Sequence, residues 1–199
     1  MVSNEILRKY AKLAVCTGVN VQKGQLLVIT SAVDIAYFTR MCVEEAYKAG
    51  AGEVLVNWSD EAVTKLAYQN ESTETLADIA PWKLEQKKNC IDKKCCFLYI
   101  ESNTPGLLAN IDGKKLQTVR IAMETAFEKF EYYTMANIGQ WSIVAIPTIP
   151  WAKKAFPDLD DEKALEKLWN AVLMSVRVSE SNDPIEEWKQ HNENLEHYC

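Results

Sequence analysis

The chain has 199 residues, 48% of them hydrophobic and 25% charged, which is the composition of an ordinary folded domain and excludes a disordered or collagen-like polymer. Its net charge of -6, with basic and acidic residues interleaved, excludes a phosphate-backbone partner such as nucleic acid. No apolar run approaches the length of a membrane span, and Met1 to Tyr10 is charged with no apolar signal core, so a soluble cytoplasmic protein is expected.

In chain order, Asn4 to Val15 reads as a helix with Ile6, Leu7, Tyr10, Leu13 and Ala14 on one side, and Gly18 ends it. Gly24 turns the chain into Leu26 to Thr30, a continuous apolar run that suits a strand buried on both faces. Asp34 is placed to cap the next helix, whose Ile35, Phe38, Cys42, Ala46 and Ala49 keep helical spacing until Gly50 and Gly52. Glu53 to Trp58 is the second strand. Asp60 to Cys90 is polar and broken by Pro81, which predicts two or three short helices over a sheet face or edge. Lys94 to Ile100 is a third strand, followed by a loop from Ser102 to Gly106.

Asp112 caps a long helix to about Thr134, with Leu116, Val119, Met123, Ala126, Phe127 and Phe130 inward. Ser142 to Ile146 is the fourth strand, closed by Pro147 and Pro150. A helix beginning at Asp160 or Asp161 buries Leu165, Leu168, Trp169, Val172, Leu173 and Val176. The alternation predicts an α/β fold: an open, mainly parallel sheet of four to five strands with helices on both faces, followed by C-terminal helices. Residues 1–150 form the sheet domain and residues 151–199 a helical extension.

The last helix carries every start signal: Asp183 as cap, Pro184 at the first helical position and Glu186 completing a capping box. Ile185, Trp188, Asn192, Leu195 and Cys199 fall on one stripe, and no Gly, Pro or basic last turn follows. A frayed terminal helix has this pattern. So does a helix that packs on further protein, and the expectation is that the chain is the front part of a longer one.

Chemistry is sought first at the carboxyl ends of the strands, at Thr30 to Asp34, Trp58 to Asp60, Glu101 to Asn103 and Pro147 to Thr148. None of these loops has a dinucleotide, phosphate-loop or nucleophile-elbow motif. Thr30, Ser31 and Asp34, with Ser59 and Asn103, can surround a small polar ligand, although a Ser/Thr turn before an Asp cap is also what any strand-to-helix turn looks like. The two histidines, His191 and His197, are six apart on a helix and fall on different faces, so they do not chelate together. Glu187 with His191 and Glu193 with His197 are one turn apart, as on any solvated charged face. Of the six cysteines, Cys16, Cys42, Cys95 and Cys96 lie in apolar runs and read as reduced, inert thiols. The sequons Asn57-Trp58-Ser59 and Asn70-Glu71-Ser72 are chance matches without a secretion signal.

Gly18-Val19-Asn20-Val21-Gln22-Lys23-Gly24-Gln25-Leu26-Leu27-Val28-Ile29, the Ala49-Gly50-Ala51-Gly52-Glu53-Val54 turn, Ile146-Pro147-Thr148-Ile149-Pro150-Trp151 through Pro157, and Asp183-Pro184-Ile185-Glu186-Glu187-Trp188 occur in that order. Together they resemble the N-terminal part of the thermophilic-type metallo-aminopeptidases of the M29 family, across essentially the whole chain. The resemblance implies a metal-dependent aminopeptidase roughly double this length, acting on peptide substrates with two divalent metal ions of zinc, cobalt or manganese type. It also implies a homodimer around an enclosed cavity. In that family the Glu, His and Asp ligands belong to the C-terminal domain, and no position here matches their motif. No catalytic, cofactor-binding or metal residue is therefore assigned, and this segment alone is expected to be inactive. The alternatives are a stand-alone flavodoxin-like small-ligand-binding domain and a dimerisation module built on the Trp-rich C-terminal helices.

Overall fold

The computed structural model describes residues 2–198, with the side chain of Tyr198 outside the description. Four strands, β1 (Leu26–Ala32), β2 (Glu53–Ser59), β3 (Cys96–Glu101) and β4 (Trp141–Ala145), form one sheet in the order β2-β1-β3-β4, with every neighbouring pair parallel. The sheet is thus wholly parallel, at the lower end of the expected strand number. Parallel strands need long crossovers. Here the first crossover is α2 (Ala36–Lys48), the second is α3 (Glu61–Asn70), α4 (Thr73–Ala77) and α5 (Pro81–Asp92), and the third is α6 (Gly113–Met135).

The chain moves from β1 outward to β2, then returns across β1 to β3. Right-handed crossovers put helices of opposite travel on opposite faces, and the strands diverge between β1 and β3. One face carries α1 (Asn4–Leu13) and α2 over Leu27, Ile29, Cys96, Leu98 and Val144. The other carries α5 and α6, where Phe130 and Tyr133 meet Phe97 edge-on at ring separations of 5.0 and 6.3 Å.

α1 forms because Ser3 Oγ accepts from Ile6 N at 3.3 Å and Leu7, Tyr10, Ala11 and Leu13 share a buried face. It does not stop at Val15: a π-helical turn over Ala14–Gly18 continues it to the expected glycine. The turns into β1 and β2 are packed against each other. A Cβ on Gly52 would sit 2.6 Å from Gly24 O, so the tight approach requires glycine.

After β4 come α7 (Ile149–Ala155), α8 (Asp161–Ser175) and α9 (Pro184–Tyr198). α7 was not expected: Pro147 and Pro150 read as a stop, but Pro150 lies in the first turn of the helix, where no amide partner is lost. Asp160 caps α8 by accepting from Lys163 N at 2.9 Å. Trp169 and Leu173 of α8, with Val178, join the core under α1 and α2. Met123 departs from the inward set of α6 and is exposed, because Phe127 and Phe130 already define the face turned to the sheet.

α9 does find a partner for the first half of its stripe. Ile185 and Trp188 pack on the core of this same chain, and Trp188 Nε1 donates to Val176 O at 2.9 Å. Asp183 caps by accepting from Ile185 N at 2.9 Å, and Lys9 Nζ donates to the carbonyls of Ser179, Glu180 and Asn182 at 3.2, 2.6 and 3.1 Å. Farther along, Leu195 is exposed, and Cys199 lies outside the described residues. Among the described residues no helix is long and apolar enough to cross a membrane.

Candidate functional site

The carboxyl ends of the strands bring Ser59, at the end of β2, next to Asn103 and Thr104 in the loop after β3. Asp60 caps α3 by accepting from Ala62 N at 2.8 Å and Val63 N at 3.1 Å, which projects Glu61 from the first turn. Glu61 Oε1 then accepts from Thr104 N at 2.7 Å, tying the β2–α3 turn to the β3–α6 loop across the end of the sheet. The result is a cleft of about 470 Å³ with Ser59, Glu61, Thr64, Asn103 and Thr104 on its polar side and Leu116 among its apolar groups. Asn103 Nδ2 donates to Glu101 Oε2, which orients the amide beside the cleft.

Of the five residues expected around a small ligand, only Ser59 and Asn103 reach this cleft. Ser31 faces the core at 2% exposure, its hydroxyl 2.7 Å from that of Thr39, whose hydroxyl in turn donates to Ile35 O at 3.3 Å. Asp34 does not cap: Val33–Ile35 is a 3₁₀ turn, Ile35 is the residue before α2, and no side chain caps that helix. Thr30 points to the other sheet face from Ser31, as alternation along a strand requires. Strand extension through Ala32 keeps Thr30 and Ser31 inside the ladder, short of the strand's carboxyl end. Glu61 and Thr104 were not foreseen, because a contact 43 positions apart in sequence leaves no local signal.

Among the described residues no three of His, Cys, Asp and Glu come together in a way that could hold a metal ion. His191 does not sit with Glu187: its Nδ1 lies 3.2 Å from Arg177 Nη2, and its ring packs edge-on against Trp188 at 5.5 Å. Cys42, Cys90, Cys95 and Cys96 are buried free thiols, and Cys16 is partly buried. Burial pushes Cys95 and Cys96 up to about 12 and raises Cys42 and Cys90 as well, so the thiolate needed for nucleophilic attack is suppressed.

Comparison with known proteins adds a family to this geometry. The pattern of the family described as thermophilic metalloprotease (M29) matches residues 3–199. Aminopeptidase AmpS of Bacillus subtilis (strain 168) is 34% identical over 189 residues, covering 95% of this chain and 46% of AmpS. Aminopeptidase PepS of Streptococcus thermophilus is 32% identical over 193 residues, covering 96% of this chain and 46% of PepS. The solved structure of wild-type AmpT from Thermus thermophilus superposes with a TM-score of 0.84 at 25% identity, over 96% of this chain and 46% of that one. The chain spans about half the length of the curated relatives it matches.

Proposed function

We propose that this chain, which belongs to the thermophilic metalloprotease family (M29), serves as the non-catalytic N-terminal part of a metal-dependent aminopeptidase that removes N-terminal residues from peptides. One observation carries the reading. Relatives named as aminopeptidases match nearly all of this chain with less than half of their own length, while its described residues offer no cluster of metal donors. Two divalent ions, of zinc, cobalt or manganese type, are assigned to the other half of the enzyme, and no hydrolytic step is assigned to side chains of this one.

The role left to this segment is to support the catalytic half and shape access to it. Exposed apolar side chains gathered at the carboxyl end of the sheet, Val33, Trp58 and Val63, support a face covered by further protein, since such a cluster is unusual on open surface. We assign that face to the catalytic half, with residues 151–199 leading the chain towards it. The complete enzyme is proposed to be a cytoplasmic homodimer.

A chimera tests the reading. The chain is joined in place of the matched half of AmpS, and hydrolysis of aminoacyl p-nitroanilides is followed with cobalt, zinc or manganese. The chimera is expected to turn over while the 199-residue chain alone does not. Metal-dependent turnover by the chain alone, or a folded, metal-loaded chimera without activity, would overturn it.

A further inference from the structure

Between α5 and α6, towards the amino ends of β3 and β4, lies a groove of about 880 Å³ whose floor includes Ile91, Phe127, Phe130 and Ile138. Its size is that of a small-molecule site, and it is separate from the cleft that holds Ser59 and Glu61. Lys87 projects into it. The ammonium lies 4.0 Å from the centre of the Phe130 ring, and among the described residues it has no carboxylate within ion-pair reach and no hydrogen-bond acceptor. Its neighbour Lys88, by contrast, is paired with Asp92 at 3.0 Å.

A half-buried ammonium held only by a ring face keeps part of its solvation unreplaced. Burial accordingly pulls the Lys87 pKa down, with a smaller opposing effect from Cys90. A carboxylate arriving over the groove would supply the missing acceptor, and an attached apolar chain would cover the exposed rings. Glu85, Asp92 and Glu128 border the groove together with Lys88, Lys94 and Lys129, so these charges offset one another and the half-buried ammonium of Lys87 is left to match a single negative charge on an apolar body. We propose that this groove binds an amphiphilic monocarboxylate, with the carboxylate on Lys87 Nζ and the apolar chain along Phe127, Phe130 and Ile138.

The test is amide NMR on the 199-residue chain, titrated with decanoate, decanol and decyltrimethylammonium, each below its micellar concentration. Decanoate is expected to shift amides of residues 84–94 and 125–138 and to bind about tenfold more tightly than the other two, the value of one added charged hydrogen bond. Lys87→Met should erase that preference and Lys87→Arg should keep it. The headgroup comparison on the unaltered chain stands even if a variant fails to fold. Equal binding of decyltrimethylammonium, an unchanged preference in a folded Lys87→Met protein, or shifts confined to other residues would overturn the proposal. No peptidase activity is read, so its failure is distinct from failure of the aminopeptidase reading.

Discussion

The Tyr10 hydroxyl holds both main-chain groups of Ala145, donating to its carbonyl at 3.1 Å and accepting from its amide at 3.0 Å. In β4 the even-numbered residues pair with β3, as Ile146 N to Glu101 O at 2.8 Å shows, which turns the groups of Ala145 towards the open edge of the sheet. A helix side chain thereby replaces part of a missing fifth strand. Tyr10→Phe keeps the ring against Phe38 and removes both bonds, leaving a part-buried amide and carbonyl unsatisfied. A loss of about 1–3 kcal/mol is expected, read from the urea midpoint with an unchanged slope.

Alkaline stability follows from the same burial. Tyr10 is pushed up to about 12 by desolvation, as are Cys95 and Cys96. Each group holds its proton more tightly folded than unfolded, so its contribution is whole below its unfolded pKa, roughly 8.5 for a thiol and 10 for a tyrosine. That contribution falls as pH rises towards 12. The thermal midpoint should therefore be flat from neutral pH to about 8 and decline steeply above 9, and Cys96→Ala should make the decline shallower.

Thiol accessibility offers an independent check. In a Cys199→Ser background, an aromatic disulfide reagent at pH 8 should modify Cys16 first, since the other four described cysteines are buried. Cys16 itself should react slowly, because burial and then Glu45 raise its pKa. Four further thiols should appear only on unfolding. Rapid native-state reaction of Cys95 or Cys96 would contradict the packing of β3.

Lys9 is the tie between α1 and the entry to α9. Lys9→Met removes three hydrogen bonds from an ammonium to main-chain carbonyls of residues 179–182. Charged hydrogen bonds are worth about 1.5–3 kcal/mol, and their loss should fall on α9 before the sheet. Hydrogen exchange should accelerate in residues 184–198 while β1 and β3 keep their protection, with limited proteolysis appearing near Ser179.

Gly52→Ala should be costly although the residue lies in an exposed turn. The added methyl would meet the main chain of Gly24 at 2.6 Å, and neither turn can move without shifting β1 against β2. Overpacking of this kind costs about 1–3 kcal/mol. Gly113→Ala, where an added Cβ meets nothing within 4 Å, serves as the neutral control in the same melting experiment.

These residues also explain what was legible in the chain. Leu26 to Thr30 and Cys95 to Ile100 announce central strands because a strand covered on both faces has no polar alternation to confuse it. Asp112, Asp160 and Asp183 announce helices because each accepts a backbone amide within its own first turn. Asp34 misleads, since the ladder continues through Ala32 and the helix begins later, at Ala36. Pro150 misleads in the opposite sense, as a breaker that in fact starts α7. The destination of Trp188 and the Glu61–Thr104 link depend on segments distant in sequence, which no local period encodes.

The most direct measurement of the account is the metal content of the purified 199-residue chain after equilibrium dialysis against cobalt, zinc and manganese, with peptide turnover assayed on the same samples. The account predicts well under one tightly held ion per chain and no hydrolysis. Two tightly held ions per chain, with hydrolysis that chelation abolishes, would contradict it.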